Sequence, residues 1–369
     1  MALQLGFVGL PNVGKSTLFN AVTRAGAEAA NFPFCTIDPN VGVVPVPDER
    51  LEALAAIVKA ARIVPTSLQV VDIAGLVSGA SRGEGLGNQF LAHIREVDAI
   101  CHLVRCFEDP DVVHVSGRMD PISDIEVIDT ELALKDLETV DKRLDRVTRA
   151  AKGGERDLLV ERDRVGGLQA HLSGGQPART FAWTPADVTL RQELSMLTDK
   201  PVLFAANVAE EDLPSGGPLV DAVTAHAKEV DADVVVVSAR VEAELAELDA
   251  TERAEYLSDL GLEQSGLERL IAHAYSLLGL RTFLTAGPQE VRAWTIPAGA
   301  TAPRAAREIH TDFERGFIRA EVVTFDDFVA HGGEAGARDA GLLRAEGKDY
   351  VVRDGDVVHF RFNPTVRSA

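Results

Sequence analysis

The chain has 369 residues, a hydrophobic fraction of 46% and a formal net charge of −20. That length gives room for two or three domains, and the composition excludes long disorder. No apolar stretch approaches the ~20 residues that a bilayer span needs, which excludes a membrane helix. Three cysteines, Cys35, Cys101 and Cys106, form neither a zinc-like repeat nor a disulfide framework, and fit a reducing, cytoplasmic setting. The acidity is uneven. Residues 131–190 hold 10 basic and 10 acidic residues and residues 281–369 hold 12 and 13, which leaves 15 and 34 for 1–130 with 191–280. So acidic a surface repels free nucleic acid; DNA is not an expected partner, and any RNA contact belongs to the two near-neutral segments.

The N-terminus MALQLGFVGL lacks a basic n-region and reads as a first strand over residues 3–9 rather than a signal peptide. Gly9-Leu10-Pro11-Asn12-Val13-Gly14-Lys15-Ser16 follows, matching G-x-x-x-x-G-K-[ST], and STLFNAVTRA behind it reads as a helix. Here the backbone N–H groups of Asn12 to Thr17 cradle phosphate, reinforced by the helix N-terminus, and Lys15 adds a point charge. The Ser16 hydroxyl is a candidate Mg²⁺ ligand. In NFPFCTIDPN, Thr36 stands 20 residues after Ser16, suitable for a switch loop reaching back to Mg²⁺. ERLEALAAIVKAA then reads as a helix.

The next strand, 68–73, ends in Asp72, placed as a Walker-B-type carboxylate for Mg²⁺, with Gly75 following in D-x-x-G spacing. VSGASRGEGLGNQF is dense in glycine and reads as a second switch. Leu76 occupies the place where Ras-like enzymes carry a water-orienting Gln, so hydrolysis is expected to be slow. His114, in DVVHVSG, is the candidate to position water instead. Strands follow at 99–107, 201–208 and 232–240. The alternation with helices implies an open α/β sheet with ligands at the strands' carboxyl ends.

Residues 131–190 break that alternation. ELALKDLETVDKRLDRVTRA and LLVERDRVGGLQAHL place apolar residues near helical spacing, which predicts a projecting helical hairpin. From 281 to 369 the texture becomes β-rich: RTFLTAG, EVRAWTI, FIRAEVVTF and YVVRDGDVVHFRF are short strands bounded by turns, with a helix near 324–331. The predicted organisation is therefore a nucleotide-binding domain of residues 1–130 with 191–280, a helical insertion, and a compact C-terminal domain.

The base reader is altered. GTP-binding proteins of this type end the later strand in Asn-Lys-x-Asp, whereas here the run is Asn207-Val208-Ala209-Glu210. Glu210 sets its oxygens away from the geometry that accepts guanine N1–H and N2–H₂, and the Lys stem is missing. Asn207 can pair with the adenine N7/N6 edge, the Val208 backbone can meet N6, and Phe107 offers a stacking face. Ser238-Ala239 stands where a base-contacting loop is expected. The residues thus favour ATP over GTP, while a GTP-specific factor and a nucleotide-gated adaptor without turnover stay open on these residues alone.

NFPFCTIDPN, VDIAGLVSGASRGEGLGNQFL and TAGPQEVRAWTIPAGATAP…IHTDFERGFIRAEV closely resemble the YchF/Obg-like ATPases, a branch of the translation-factor-like P-loop GTPases. The resemblance spans essentially the whole chain. It implies an OBG-type G domain with a helical insertion and a C-terminal TGS domain, a similar N-x-x-E with ATP preferred, and Mg²⁺ as cofactor. It also implies a ribosome partner, 70S or 50S, met with its rRNA through the helical arm and TGS domain. In similar P-loop enzymes an Asn at the position of Asn12 helps bind K⁺. A monomer is expected.

Overall fold

The computed structural model describes residues 3–28, 40–73, 85–108 and 119–363. In chain order the first half contains β1 (Gln4–Val8), α1 (Lys15–Glu28), β2 (Val41–Pro45), α2 (Arg50–Val58), β3 (Ile63–Val64), β4 (Ser67–Asp72), α3 (Gly85–Glu96) and β5 (Ala99–Arg105). Two long helices follow, α4 (Pro121–Ala150) and α5 (Arg156–Ser173), then α6 (Val188–Leu194), β6 (Val202–Asn207), α7 (Pro218–Glu229) and β7 (Asp233–Val237). Next come α8 (Ala239–Leu245), α9 (Ala250–Asp259), α10 (Gly266–Leu277), β8 (Leu280–Ala286), β9 (Val291–Pro297), α11 (Ala302–Ile309) and α12 (Thr311–Arg315). The chain closes with β10 (Phe317–Thr324), α13 (Phe325–Ala330), α14 (Glu334–Asp339), β11 (Arg344–Glu346) and β12 (Asp356–Phe362).

The first unit draws its described residues from Met1–Val44 and Gln69–Ala274. Its sheet runs β2-β4-β1-β5-β6-β7, with β4, β1, β5, β6 and β7 mutually parallel. Every residue of β5 and β6 is buried, the pattern of inner parallel strands covered on both faces, while β7 alternates at the edge. Because the strands are parallel, their carboxyl ends at Val8, Asp72, Arg105, Asn207 and Val237 gather along one edge. The chain steps from β1 to β4 on one side and to β5 on the other, so β1 ends at the switch point of the sheet. Cys101 and Cys106 are buried, and burial pushes both thiols up, Cys106 to about 12, as befits small apolar residues.

The helical hairpin begins ten residues before the predicted boundary of 131. Asp120 caps α4 by accepting from Ser123 N at 3.2 Å, and Pro121 occupies the first turn, where its missing N–H is harmless. Arg143 of α4 pairs with Glu161 of α5 at 2.6 Å, and Val140 packs with Val165, Leu168 and Leu172. The arm is pinned at its root by Asp136, whose exposure is 0%. Its carboxylate accepts from Leu197 N (2.8 Å), Thr198 N (2.8 Å) and Thr198 Oγ1 (2.7 Å). Thr198 Oγ1 in turn accepts from Ala178 N at 2.9 Å, closing the far end of the insertion.

The second unit draws on Pro45–Leu68 as well as the C-terminal part from Tyr275. Residues 45–68, placed by sequence in the nucleotide domain, therefore pack elsewhere, and the alternation of the strands explains why. Phe283, Val322 and Val358 face one core with Ala302, Ala305 and Ala306 of α11, whereas their neighbours Leu284, Val323 and Val357 face another. That second face is covered by Leu51 and Leu54 of α2 together with Phe328 of α13, and β3 extends the sheet beside β9. Without residues 45–68 one side of this sheet would stand bare. The strand order is β11-β10-β12-β8-β9-β3. On β10, Glu321 is buried between Arg319 (2.7 Å) and Arg361 (2.9 Å), and their guanidinium groups hold its carboxyl down at about 2.

Removing Asp136 leaves three buried donors without a partner. Asp136→Ala is expected to destabilise the protein by about 3–5 kcal/mol in urea titration, and Asp136→Asn by less. For Glu321 the folded pKa lies below the ordinary 4.5, so its stabilisation is complete above that pH and is lost as pH falls toward 2. The difference in melting temperature between wild type and Glu321→Gln should therefore be widest near neutrality and narrow below about pH 4.5.

Candidate nucleotide site

The loop after β1 turns through two left-handed residues, Asn12 at φ 64° and Gly14 at φ 92°. Gly14 needs its missing side chain twice over: a Cβ there would run into Asn207 Nδ2 and would lie 3.2 Å from Ala239 Cβ. Val13 is buried, and α1 starts at Lys15, so its first N–H groups open onto the loop as an anion site. Lys15 Nζ contacts Asp72 Oδ1 at the end of β4, with 11% and 21% of the two side chains exposed. Ser16 and Thr17 lie exposed on the first turn of the helix. A lysine ammonium, a hard carboxylate and a hydroxyl thus occupy adjoining strand and helix ends, and the oxygen donors among them fit Mg²⁺.

A cavity of about 670 Å³ opens beside the loop, with Asn12, Gly14 and Thr17 at one end and Phe107, Asn207, Val208, Glu210, Ser238 and Ala239 around it. Asn207 is only 3% exposed. Its Nδ2 donates to Val13 O at 2.8 Å and its Oδ1 accepts from Ala239 N at 2.8 Å. The residue expected to read the base therefore has a prior duty: it ties the phosphate loop to the start of α8. One Nδ2 hydrogen remains for an acceptor on a ligand. Val208 is buried and its N–H donates to Val237 O at 2.8 Å, which leaves its carbonyl as the group an N6 amine would meet.

Phe107 carries the Arg105 guanidinium 4.6 Å from its ring centroid, and Arg105 Nε donates to Phe107 O at 3.2 Å. This support for the stacking candidate was missed in the sequence, although an Arg inside the apolar run AICHLVRCF is the signal that could have found it. Ser238 is 2% exposed, and its Oγ has no hydrogen-bond partner among the described residues. A buried hydroxyl without a partner is costly, so one lining a cavity is available to a group that enters it. Glu210 opens a 3₁₀ turn after β6, beside the hydroxyl of Tyr256. His102, in β5, is a core residue; its burial, with His226 and Arg179 nearby, keeps the imidazole uncharged. Thr36, Gly75 and His114 lie outside the described residues.

Comparisons with known proteins agree with this assembly. Residues 4–145 match the family model MMR_HSR1, described as a 50S ribosome-binding GTPase. Residues 280–363 match YchF-GTPase_C, described as a protein of unknown function (DUF933). The ribosome-binding ATPase YchF of Bacillus subtilis is 55% identical over 365 residues, covering 98% of this chain and 100% of that protein. Obg-like ATPase 1 of Rattus norvegicus is 44% identical over 373 residues, 100% of this chain and 94% of the relative. The solved structure of the Schizosaccharomyces pombe YchF GTPase superposes with a TM-score of 0.88 at 38% identity, covering 97% of both chains. These matches run along essentially the whole chain, and the chain belongs to the YchF/Obg-like ATPase family.

Proposed function

We propose that the protein is a ribosome-associated P-loop ATPase that hydrolyses ATP slowly with Mg²⁺ and alters its ribosome contacts with nucleotide state. One arrangement carries this reading: the paired Lys15 and Asp72 stand next to Gly14 and Thr17 of a cavity whose other lining holds N-x-x-E and the Ser238 hydroxyl, unpartnered among the described residues. The names of relatives support ribosome association and ATP, although the solved Schizosaccharomyces pombe protein is called a GTPase. For this chain the choice of ATP rests on Glu210, which replaces the Asp that guanine needs, and on Val208, which removes the Lys stem.

The loop N–H groups and Lys15 bind and orient the β- and γ-phosphates. Ser16 and Asp72 would hold Mg²⁺, joined by Thr36 as the sequence reading has it; when bound, the ion neutralises charge on the phosphates. Phe107, backed by Arg105, stacks on the base, and the Val208 carbonyl accepts from N6. Leu76 gives no hydrogen bond to water, which makes turnover slow, and His114 is the proposed water-positioning group.

The test is co-sedimentation with ribosomes in ATP, GTP and a non-hydrolysable analogue of each. The expected outcome is a shift in the bound fraction at concentrations of ATP or its analogue about tenfold below those of GTP, and no shift by either in Lys15→Ala, which loses its phosphate charge. An equal response to GTP, or a wild-type response in Lys15→Ala, would contradict the proposal.

A further inference from the structure

Glu210 is not left to itself at the cavity wall. Tyr256, 46 residues downstream on α9, places its hydroxyl 3.4 Å from Glu210 Oε1 and 2.8 Å from Glu244 Oε2. Glu244, on α8, is held in turn by Arg240 Nε at 3.1 Å. A phenol has one proton to donate, so the two carboxylates share it: Glu244 holds the shorter contact and Glu210 the longer, weaker one. Both carboxylates line the nucleotide cavity, and Tyr256 approaches them from α9, an element outside the cavity lining. Beside them the Ser238 Oγ is buried without a partner among the described residues, so Glu210 makes no hydrogen bond to that hydroxyl.

We propose that Tyr256 is a positioning residue for nucleotide choice: its hydroxyl tethers Glu210 toward Glu244 and keeps that carboxylate from meeting the N1–H and N2–H₂ donors of guanine. The inference rests on the ATP reading above and deepens it. Adenine presents no donor at N1, so it loses nothing when Glu210 is held back, whereas guanine loses its acceptor and leaves two polar groups unpaired. Discrimination of this kind, by an unpaired polar group rather than by a clash, is the stronger form of selectivity. The tether also makes the glutamate stem useful, since its added length lets the carboxylate reach an outer partner.

The test is equilibrium competition of ATP and GTP against a fluorescent nucleotide, on the full chain with Mg²⁺, for wild type, Tyr256→Phe and Glu244→Gln. Tyr256→Phe keeps the ring and removes only the hydroxyl. It should strengthen GTP binding about threefold to tenfold while ATP stays within about twofold, the scale of one hydrogen bond. Glu244→Gln should act in the opposite direction. With the neutral amide as competitor, the Tyr256 proton passes to the charged Glu210, the tether tightens, and GTP weakens relative to ATP. A purely structural role for Tyr256 would move both nucleotides together and would give no such reversal of sign. If Tyr256→Phe fails to fold, Glu244→Gln decides alone. A wild-type preference for ATP that both variants leave unchanged overturns the tether only; a wild-type preference for GTP overturns the nucleotide reading and the tether with it.

Discussion

The side-chain amide of Asn207 is the join on which the nucleotide site depends. Its two ends bind the Val13 carbonyl and the Ala239 N–H, so one buried residue fixes the phosphate loop, the end of β6 and the start of α8 in one frame. The sequence around it answers to that contact. Gly14 has no Cβ where one would strike the amide, β6 is buried throughout, and the Val208 N–H is taken up by β7. Base recognition is then built on a frame that is already closed. This order matters for the altered N-x-x-E motif: its first residue organises the cavity, and the choice between bases falls to its later members and their neighbours.

A second polar contact governs the insertion. Asp136 sits near the middle of α4, fully buried, and binds the segment that leads directly into β6. Burial pushes its carboxyl up, while the hydrogen bonds from Thr198 and Leu197 pull it back. A carboxylate in such a place is strongly destabilising unless its donors are all supplied, and here the backbone supplies two of the three. The arm's root and the strand that carries Asn207 are therefore consecutive parts of one hydrogen-bonded structure. In the second unit, packing plays the corresponding part: neighbouring residues of each strand enter separate cores, and α2 closes one of them.

Much of this was legible in the sequence because the signals were local. The phosphate loop, Asp72 at a strand end, the five parallel strands, the long helices and the strands after 280 each carry their own periodicity or spacing. What stayed hidden depends on partners far along the chain. Nothing in ERLEALAAIVKAA says that Leu51 and Leu54 pack with Leu284 and Val323 rather than with the first sheet, because amphipathic pattern fixes a face and not its partner. The same holds for Tyr256, whose role depends on Glu210 and Glu244 meeting it in space. Asp120-Pro121 marks the start of α4 locally, since a cap followed by proline is a helix-start signal, whereas the helical apolar spacing from Leu132 marks only the later part of the helix.

Asn207 organises the site before it meets a base, and Asn207→Ala tests that role by equilibrium binding of ATP and GTP. Loss of both buried hydrogen bonds should weaken the two nucleotides together, by about 100-fold, and leave their ratio unchanged. Affinity for ATP within about threefold of wild type, or a loss confined to one of the two bases, would contradict it.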